Sequence, residues 1–185
     1  MARQLTVVLS LAALASVPGH ARAADSYPRT IVAAAKAVDG ATTVTSTVTI
    51  KVNRLMEPSR RDRVINGLKA NGYQGFMDAL RPLPAVGSIA TQSNEVLLRY
   101  AWETEVEGKT RLIVVSDKPL FFLSGDSSKA KAGFELTVVE LMFDAKGGAT
   151  GTMAGAARVK PAPDTGIVLQ DYAAAPVQLT VAAGK

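Results

Sequence analysis

The chain has 185 residues, no cysteine, one histidine, 5% aromatic residues and a formal charge of +5. Without cysteine there is no thiol nucleophile, no CxxC redox pair and no thiolate zinc site. The modest charge and sparse aromatics exclude the dense Lys/Arg face with stacking rings that a nucleic-acid binder presents.

The N-terminus predicts export. Arg3 supplies a positive start, Leu5 to Val17 an apolar run, and Ala21 and Ala23 the small residues of a signal-peptidase site. At about 13 residues the run is shorter than the roughly 20 that span a bilayer as a helix. No cysteine follows it, so a lipoprotein anchor is not expected. Cutting after Ala23 leaves 162 of the 185 residues, removes Arg3 and Arg22, lowers the charge from +5 to +3, and discards His20. The mature protein is then periplasmic or secreted and has no histidine for a Ser-His-Asp triad or a His general base. A chain of this length buries about two-thirds of its unfolded surface, enough to hold one domain without disulfides.

Residues 24–42 read as a loose Ala-rich lead with one short helix at Thr30–Val38. The single β-rich domain is expected over residues 43–182. Thr43–Val52 alternates, with Val44, Val48, Ile50 and Val52 on one face and Thr45, Thr47, Thr49 and Lys51 on the other, the pattern of a half-buried strand. A helix then opens at Pro58-Ser59, with Ser59 as cap and Asp62 as capping-box acid. Val64, Ile65 and Leu68 form its inner stripe, and Asn71-Gly72 is expected to end it. A second short helix carries Tyr73, Phe76, Met77 and Leu80 and stops at Pro82 and Pro84.

From Val86 onward the signals are those of strands. Glu95–Val106 and Thr110–Ser116 flank Glu107-Gly108, a hairpin turn that sets Trp102 opposite Ile113 and Tyr100 opposite Val115. Phe134–Phe143 is a strong strand and Ala149–Val159 a strand of small residues. In the latter, Gly151 and Gly155 suit close backbone approach. Ile167–Leu169 and Val177–Val181 close the chain. The fold class is therefore mostly β: an antiparallel meander forming a barrel or a sandwich, with two short helices after the first strand.

No catalytic constellation emerges. Ser128-Lys129-Ala130-Lys131 matches S-x-x-K, yet it sits in a polar loop without the S-D-N and K-T-G partners that motif needs. Gly147, Gly148, Gly151 and Gly155 lack the G-K-[ST] of a phosphate loop. Glu103 and Glu105 share one strand face, about 6.5–7 Å apart, within the range of inverting glycosidases. Glu140 shares a face with Phe134, Leu136, Val138 and Met142. If that face is buried, Glu140 needs a partner, and Arg99 is the candidate. A pocket under the helix pair would be lined by Phe76, Met77, Trp102, Phe122 and Phe134. Arg60, Arg61 and Arg63, with Arg54, cluster at the first helix start, where cations oppose the helix dipole, and suggest an anionic partner. No metal, cofactor or nucleic acid is expected. The expected partner is a small ligand or an anionic envelope component. The alternatives are a carboxylate hydrolase using Glu103, Glu105 or Glu140, and a structural envelope component.

Several phrases together carry a resemblance. They include Val48-Thr49-Ile50-Lys51-Val52, Asp78-Ala79-Leu80, Val86-Gly87-Ser88-Ile89, Leu98-Arg99-Tyr100-Ala101, Arg111 to Pro119, Gln170-Asp171-Tyr172-Ala173 and Pro176 to Thr180. In this order, over Thr43 to Val181, the chain resembles a group of uncharacterised secreted bacterial proteins. The resemblance implies export, a bacterial source and one domain, and carries over no activity, cofactor or catalytic residue.

Overall fold

In a computed structural model, the structure describes residues 27–39, 42–122, 131–163, 166–173 and 175–184. The expected signal segment and the S-x-x-K serine lie outside the described residues.

The strands are β1 (Arg29–Asp39), β2 (Thr42–Val52), β3 (Gly87–Ala90), β4 (Glu95–Leu98), β5 (Tyr100–Val106), β6 (Lys109–Ser116), β7 (Leu136–Phe143), β8 (Ala149–Ala162), β9 (Gly166–Tyr172) and β10 (Val177–Val181). One helical element, α1 (Pro58–Leu80), lies between β2 and β3. All pairings are antiparallel, in the order β4-β3-β2-β1-β10-β8-β7-β6-β5, with β9 beside β8.

The two ends of this path are consecutive in sequence. β4 pairs with β3, the chain bends at Arg99, and β5 pairs with β6. Across the bend the Arg99 N–H donates to the Val115 carbonyl. One bent strand thus joins both edges, and the sheet is a nearly closed barrel. Such closure removes most of the edge that an open sheet would leave unpaired.

Two apolar clusters fill the molecule. Inside the barrel lie Ile31, Ala33, Ala35, Val48, Ile50, Leu112, Val114, Val139, Leu141, Met153 and Leu179. Outside, between α1 and the sheet, lie Val64, Ile65, Leu68, Phe76, Met77 and Leu80 from the helix. They meet Tyr100, Ile113, Val115, Leu136, Val138 and Ala157 from β5 to β8. Alternate residues of one strand therefore belong to different cores, so β6 reads as the unbroken run Leu112-Ile113-Val114-Val115. This is the pattern of a sheet covered on both faces.

The stretch expected to be a loose lead with a short helix is strand β1. It pairs with β2 over eleven residues, from Arg29↔Val52 to Asp39↔Thr42. Its alanines hid the period, because they occupy both faces. Ala33, Ala35 and Ala37 are buried in the barrel while Ala34 is exposed outside.

Helix α1 begins at Pro58, with Glu57 as N-cap and no side-chain cap. Ser59 therefore lies inside the helix and forms no capping box with Asp62; proline at the first position sets the start instead. Asn71 (φ −126°, ψ 16°) and Gly72 (φ 62°, ψ −151°) leave helical geometry and kink the element. The chain folds back there. A Cβ on Gly67 would lie 2.6 Å from the Gly75 carbonyl oxygen, although eight residues of straight helix would separate the two by about 12 Å.

The Glu107-Gly108 turn has both residues at positive φ, 51° and 73°, as a two-residue hairpin turn requires. The expected register follows: Trp102 opposes Ile113 and Tyr100 opposes Val115. In β8, a Cβ on Gly151 would strike the Glu140 carbonyl, and one on Gly155 the Leu120 carbonyl. Both glycines serve close backbone approach.

Candidate functional site

The chain leaving β2 crosses the barrel end before it enters α1. The Asn53 N–H donates to the Val86 carbonyl (2.8 Å) and the Met56 N–H to the Ala101 carbonyl (2.9 Å). These bonds hold Arg54, Glu57 and the first turn of α1 beside Leu83, Pro84 and Arg99. No acid stands in that first helical turn. Arg54, Arg60 and Arg99 line one notch of about 10 Å³, roughly the space of a single water. The notch holds no buried ligand. What it offers is a positively charged surface.

The three candidate arginines of the helix start have different fates. Arg60 is partly exposed and pairs with Glu57 at 3.1 Å. Arg63 is exposed and, among the described residues, makes no ion pair. Arg61 turns inward: its guanidinium stacks on Trp102, 4.6 Å from the ring centroid, and lies 3.5 Å from Asp62. Its Nε is buried without a hydrogen bond, as is the Tyr100 hydroxyl. Burial pushes the Tyr100 phenol up from 10, and the Arg61 and Arg111 guanidiniums only partly oppose this.

The expected Glu140–Arg99 pair does not form. Arg111 Nε donates to Glu140 Oε1 at 2.8 Å, with the Arg111 side chain 8% exposed and that of Glu140 35%. Arg99 instead donates from Nε to Asp117 Oδ1 at 3.2 Å and from Nη1 to the Leu83 carbonyl at 2.5 Å. The β6–β7 register explains the exchange. Ile113 opposes Glu140 and Arg111 opposes Met142, so Arg111 is the diagonal neighbour of Glu140 on the same face. Arg99 sits at the bend between β4 and β5, where its side chain reaches the loops after β6 and α1.

The three acids of the hydrolase reading do not share a cleft. Glu103 opposes Leu112, an inner-core residue, and shares its face with Ala101 and Glu105. Glu140 lies on the outer face with Ile113 and Val138. Glu103 is 3.7 Å from Arg29, Glu140 is bound by Arg111, and Glu105 is exposed next to the turn. Among the described residues no group of three acidic or histidine side chains could hold a metal ion.

The expected pocket-lining set is dispersed. Phe76 and Met77, 0% and 1% exposed, are packed in the layer between α1 and the sheet, and Trp102 packs against that layer. Phe122 packs instead on the inner cluster, beyond the sheet. Phe134 lies under two cations, Lys131 at 5.2 Å and Arg158 at 5.7 Å from its centroid.

A polar latch that the sequence did not disclose ties the second half of α1 to Glu135, the residue before β7. Tyr73 Oη donates to Glu135 Oε2 at 2.7 Å and accepts from the Glu135 N–H at 3.0 Å, while Arg158 stacks 5.2 Å from the Tyr73 ring. Burial, then Glu135, pushes the Tyr73 phenol far up. Burial also raises Glu135, but the Tyr73 hydroxyl and the N–H groups of Gly133 and Glu135 outweigh it and hold the carboxyl below its ordinary value. A residue separation of 62 leaves no local pattern to find.

An open groove of about 360 Å³ runs by the other barrel rim, past Lys109, Met142, Asp144, Thr150 and Thr180. Its acid is already used: Asp144 Oδ1 accepts from the N–H groups of Lys146 (2.8 Å) and Gly148 (3.0 Å). Among the described residues no helix is long and apolar enough to cross a membrane.

Fold and surface of the described residues together define an antiparallel, barrel-like β protein with a kinked helix on its outer wall and an arginine-bearing helix start. Comparison of the chain with protein-family models, with curated proteins and with solved structures found no match.

Proposed function

We propose that this is an exported bacterial envelope protein that acts by binding, and that Arg54, Arg60 and Arg63 form its contact surface for an anionic partner. One observation carries the reading: these arginines crowd a helix start that has no acid in its first turn, and the N-cap Glu57 pairs, among the described residues, with Arg60 alone. Exposed cations at that end oppose the helix dipole, by about 0.3–1 kcal/mol each. An anion docked there relieves both the mutual repulsion of the guanidiniums and their conflict with the dipole. Arg61 is excluded from the contact surface because it is committed to Trp102.

Export rests on Arg3, the Leu5–Val17 run and Ala21 and Ala23. A cut after Ala23 spares β1, which begins at Arg29. The resemblance to secreted bacterial proteins is part of the same proposal. A small ligand enclosed by Phe76, Met77, Trp102, Phe122 and Phe134 is disfavoured, because Phe122 packs on the inner cluster while Phe76, Met77 and Trp102 belong to the outer one.

Co-sedimentation with vesicles of phosphatidylglycerol and phosphatidylethanolamine tests the proposal. Binding is expected at low salt and is lost near 1 M, where the screening length is about 3 Å. The triple substitution Arg54→Ala, Arg60→Ala, Arg63→Ala removes it, while Arg158→Ala does not. Salt-independent binding, or equal binding by the triple variant, rejects the arginine surface. Finding Met1 on the exported protein rejects the cleavage.

A further inference from the structure

The β1–β2 hairpin extends past its neighbours. β10 meets β1 only at Ala34, Ala35 and Lys36, and β3 meets β2 only from Thr49 to Val52. Thr42 to Val48 therefore pair with β1 on one side and, among the described residues, with no strand on the other.

An open edge presents a row of unused N–H and C=O groups, and proteins usually blunt it with lysine, proline, a bulge or a covering element. The edge Thr42-Thr43-Val44-Thr45-Ser46-Thr47-Val48 has none of the first two. Its register with β1 runs through eleven pairs without a shift. Strand β9 makes the contrast: it carries Asp171, has a register shift at Arg158/Val159, and starts against Arg61 and Ile65 of α1.

The edge is also complementary to itself. Around Ser46 the open edge reads the same in both directions: Thr45 and Thr47, Val44 and Val48. A two-fold contact requires this kind of self-match. Antiparallel pairing about Ser46 sets Val44 of one copy against Val48 of the other on the inner face. On the outer face it sets Thr45 against Thr47. Both are favourable cross-strand pairs, and no charge opposes them. Val44 is among the few large apolar side chains left exposed, at 36%.

We propose that two copies of this chain associate through β2, forming an antiparallel β2–β2 pair about a two-fold axis at Ser46. The surface lies apart from the arginine-bearing helix start, so the two proposals stand or fall separately.

The absence of native cysteine gives a clean test on the full chain. Residues directly opposed across strands have Cα atoms about 4.5–5.5 Å apart, within disulfide reach. Under mild oxidation Ser46→Cys is expected to yield a covalent dimer, and the exposed control Thr150→Cys is not. Light scattering on the unmodified chain should show a concentration-dependent monomer–dimer equilibrium. Thr45→Lys with Thr47→Lys sets like charges across the axis and should raise the dimer Kd at least tenfold, with the melting temperature unchanged at concentrations where the chain is monomeric. A chain that stays monomeric at millimolar concentration overturns the proposal. So does a dimer indifferent to both lysines, or cross-linking of Ser46→Cys no faster than of Thr150→Cys.

Discussion

The wall made by β1 and β2 and the wall made by β6 and β7 send similar apolar rows into the barrel, but they meet different surroundings outside. Ile31, Ala33, Val48 and Ile50 face in from the first pair, and Leu112, Val114, Val139 and Leu141 from the second. Outside, β1 and β2 show Val32, Ala34, Thr45 and Thr47 to solvent. β6 and β7 lay Ile113, Val115, Leu136 and Val138 under α1. One wall contributes to a single core and the other to two. The hydrophobic gain follows buried area, so the helix-covered wall should carry most of the stability that the outer face supplies.

The largest expected effect lies in that contrast. Leu136→Ala, on the covered outer face, should cost about 2–5 kcal/mol in urea denaturation, as large-to-small core changes do. Val32→Ala, on the open outer face, should stay within about 0.5 kcal/mol. Equal costs would mean that α1 does not seal the β6–β7 wall.

A smaller effect tests the ion pair on the same outer face. Glu140→Ala leaves Arg111 buried without its carboxylate and should destabilise by about 1–3 kcal/mol, the cost of an unmet buried donor. A double-mutant cycle should show coupling between Glu140 and Arg111 and none between Glu140 and Arg99. Coupling to Arg99 would contradict the register that sets this wall apart.

Titration probes the covered wall alone. Tyr73 and Tyr100, both at the α1–sheet interface, have phenols raised by burial. A raised folded value means that stability is complete below the unfolded value of about 10 and declines as pH rises beyond it, by at most about 1.4 kcal/mol per pH unit per group. Glu135 has the opposite sign: its contribution is present above about pH 4.3 and fades as pH falls through the lowered folded value. Denaturation at pH 8 and pH 11 should show the alkaline loss, and Tyr73→Phe together with Tyr100→Phe should flatten it. An unchanged slope in the double variant would place the titrating groups elsewhere.

The smallest expected effect concerns the rim of the covered wall. Arg61→Met removes the stack on Trp102 and should cost about 0.5–1 kcal/mol. Tryptophan fluorescence should shift with it, because Trp102 is the only tryptophan. An unshifted spectrum would mean that the ring does not sense the guanidinium.

The same contrast explains what was legible. β2 was readable because one side is wet: Thr45, Thr47 and Thr49 alternate with Val48 and Ile50. The Glu107-Gly108 turn was readable because two positive φ values are a local demand, and it carried the β5–β6 register with it. For β7 both possible inward faces looked apolar because both are buried, so the facing of Glu140 stayed open. The helix cap was misplaced by two residues, Ser59 for Glu57, because Pro58, with no side-chain cap, sets the start. The arginine cluster was legible as composition, but Arg61 left it once Trp102 was brought beneath it.

Local physics, acting through short-range patterns, determined the antiparallel β character, the hairpin turn, the absence of thiol chemistry and the break at Asn71-Gly72. The tertiary structure decided which alanines of β1 point inward, that α1 lies outside the barrel, and that Glu140 belongs to Arg111. Each of these depends on which distant strand lies next door. Residues 29 adjacent to 52, or 73 adjacent to 135, become neighbours only when the sheet closes, and no local period encodes that closure.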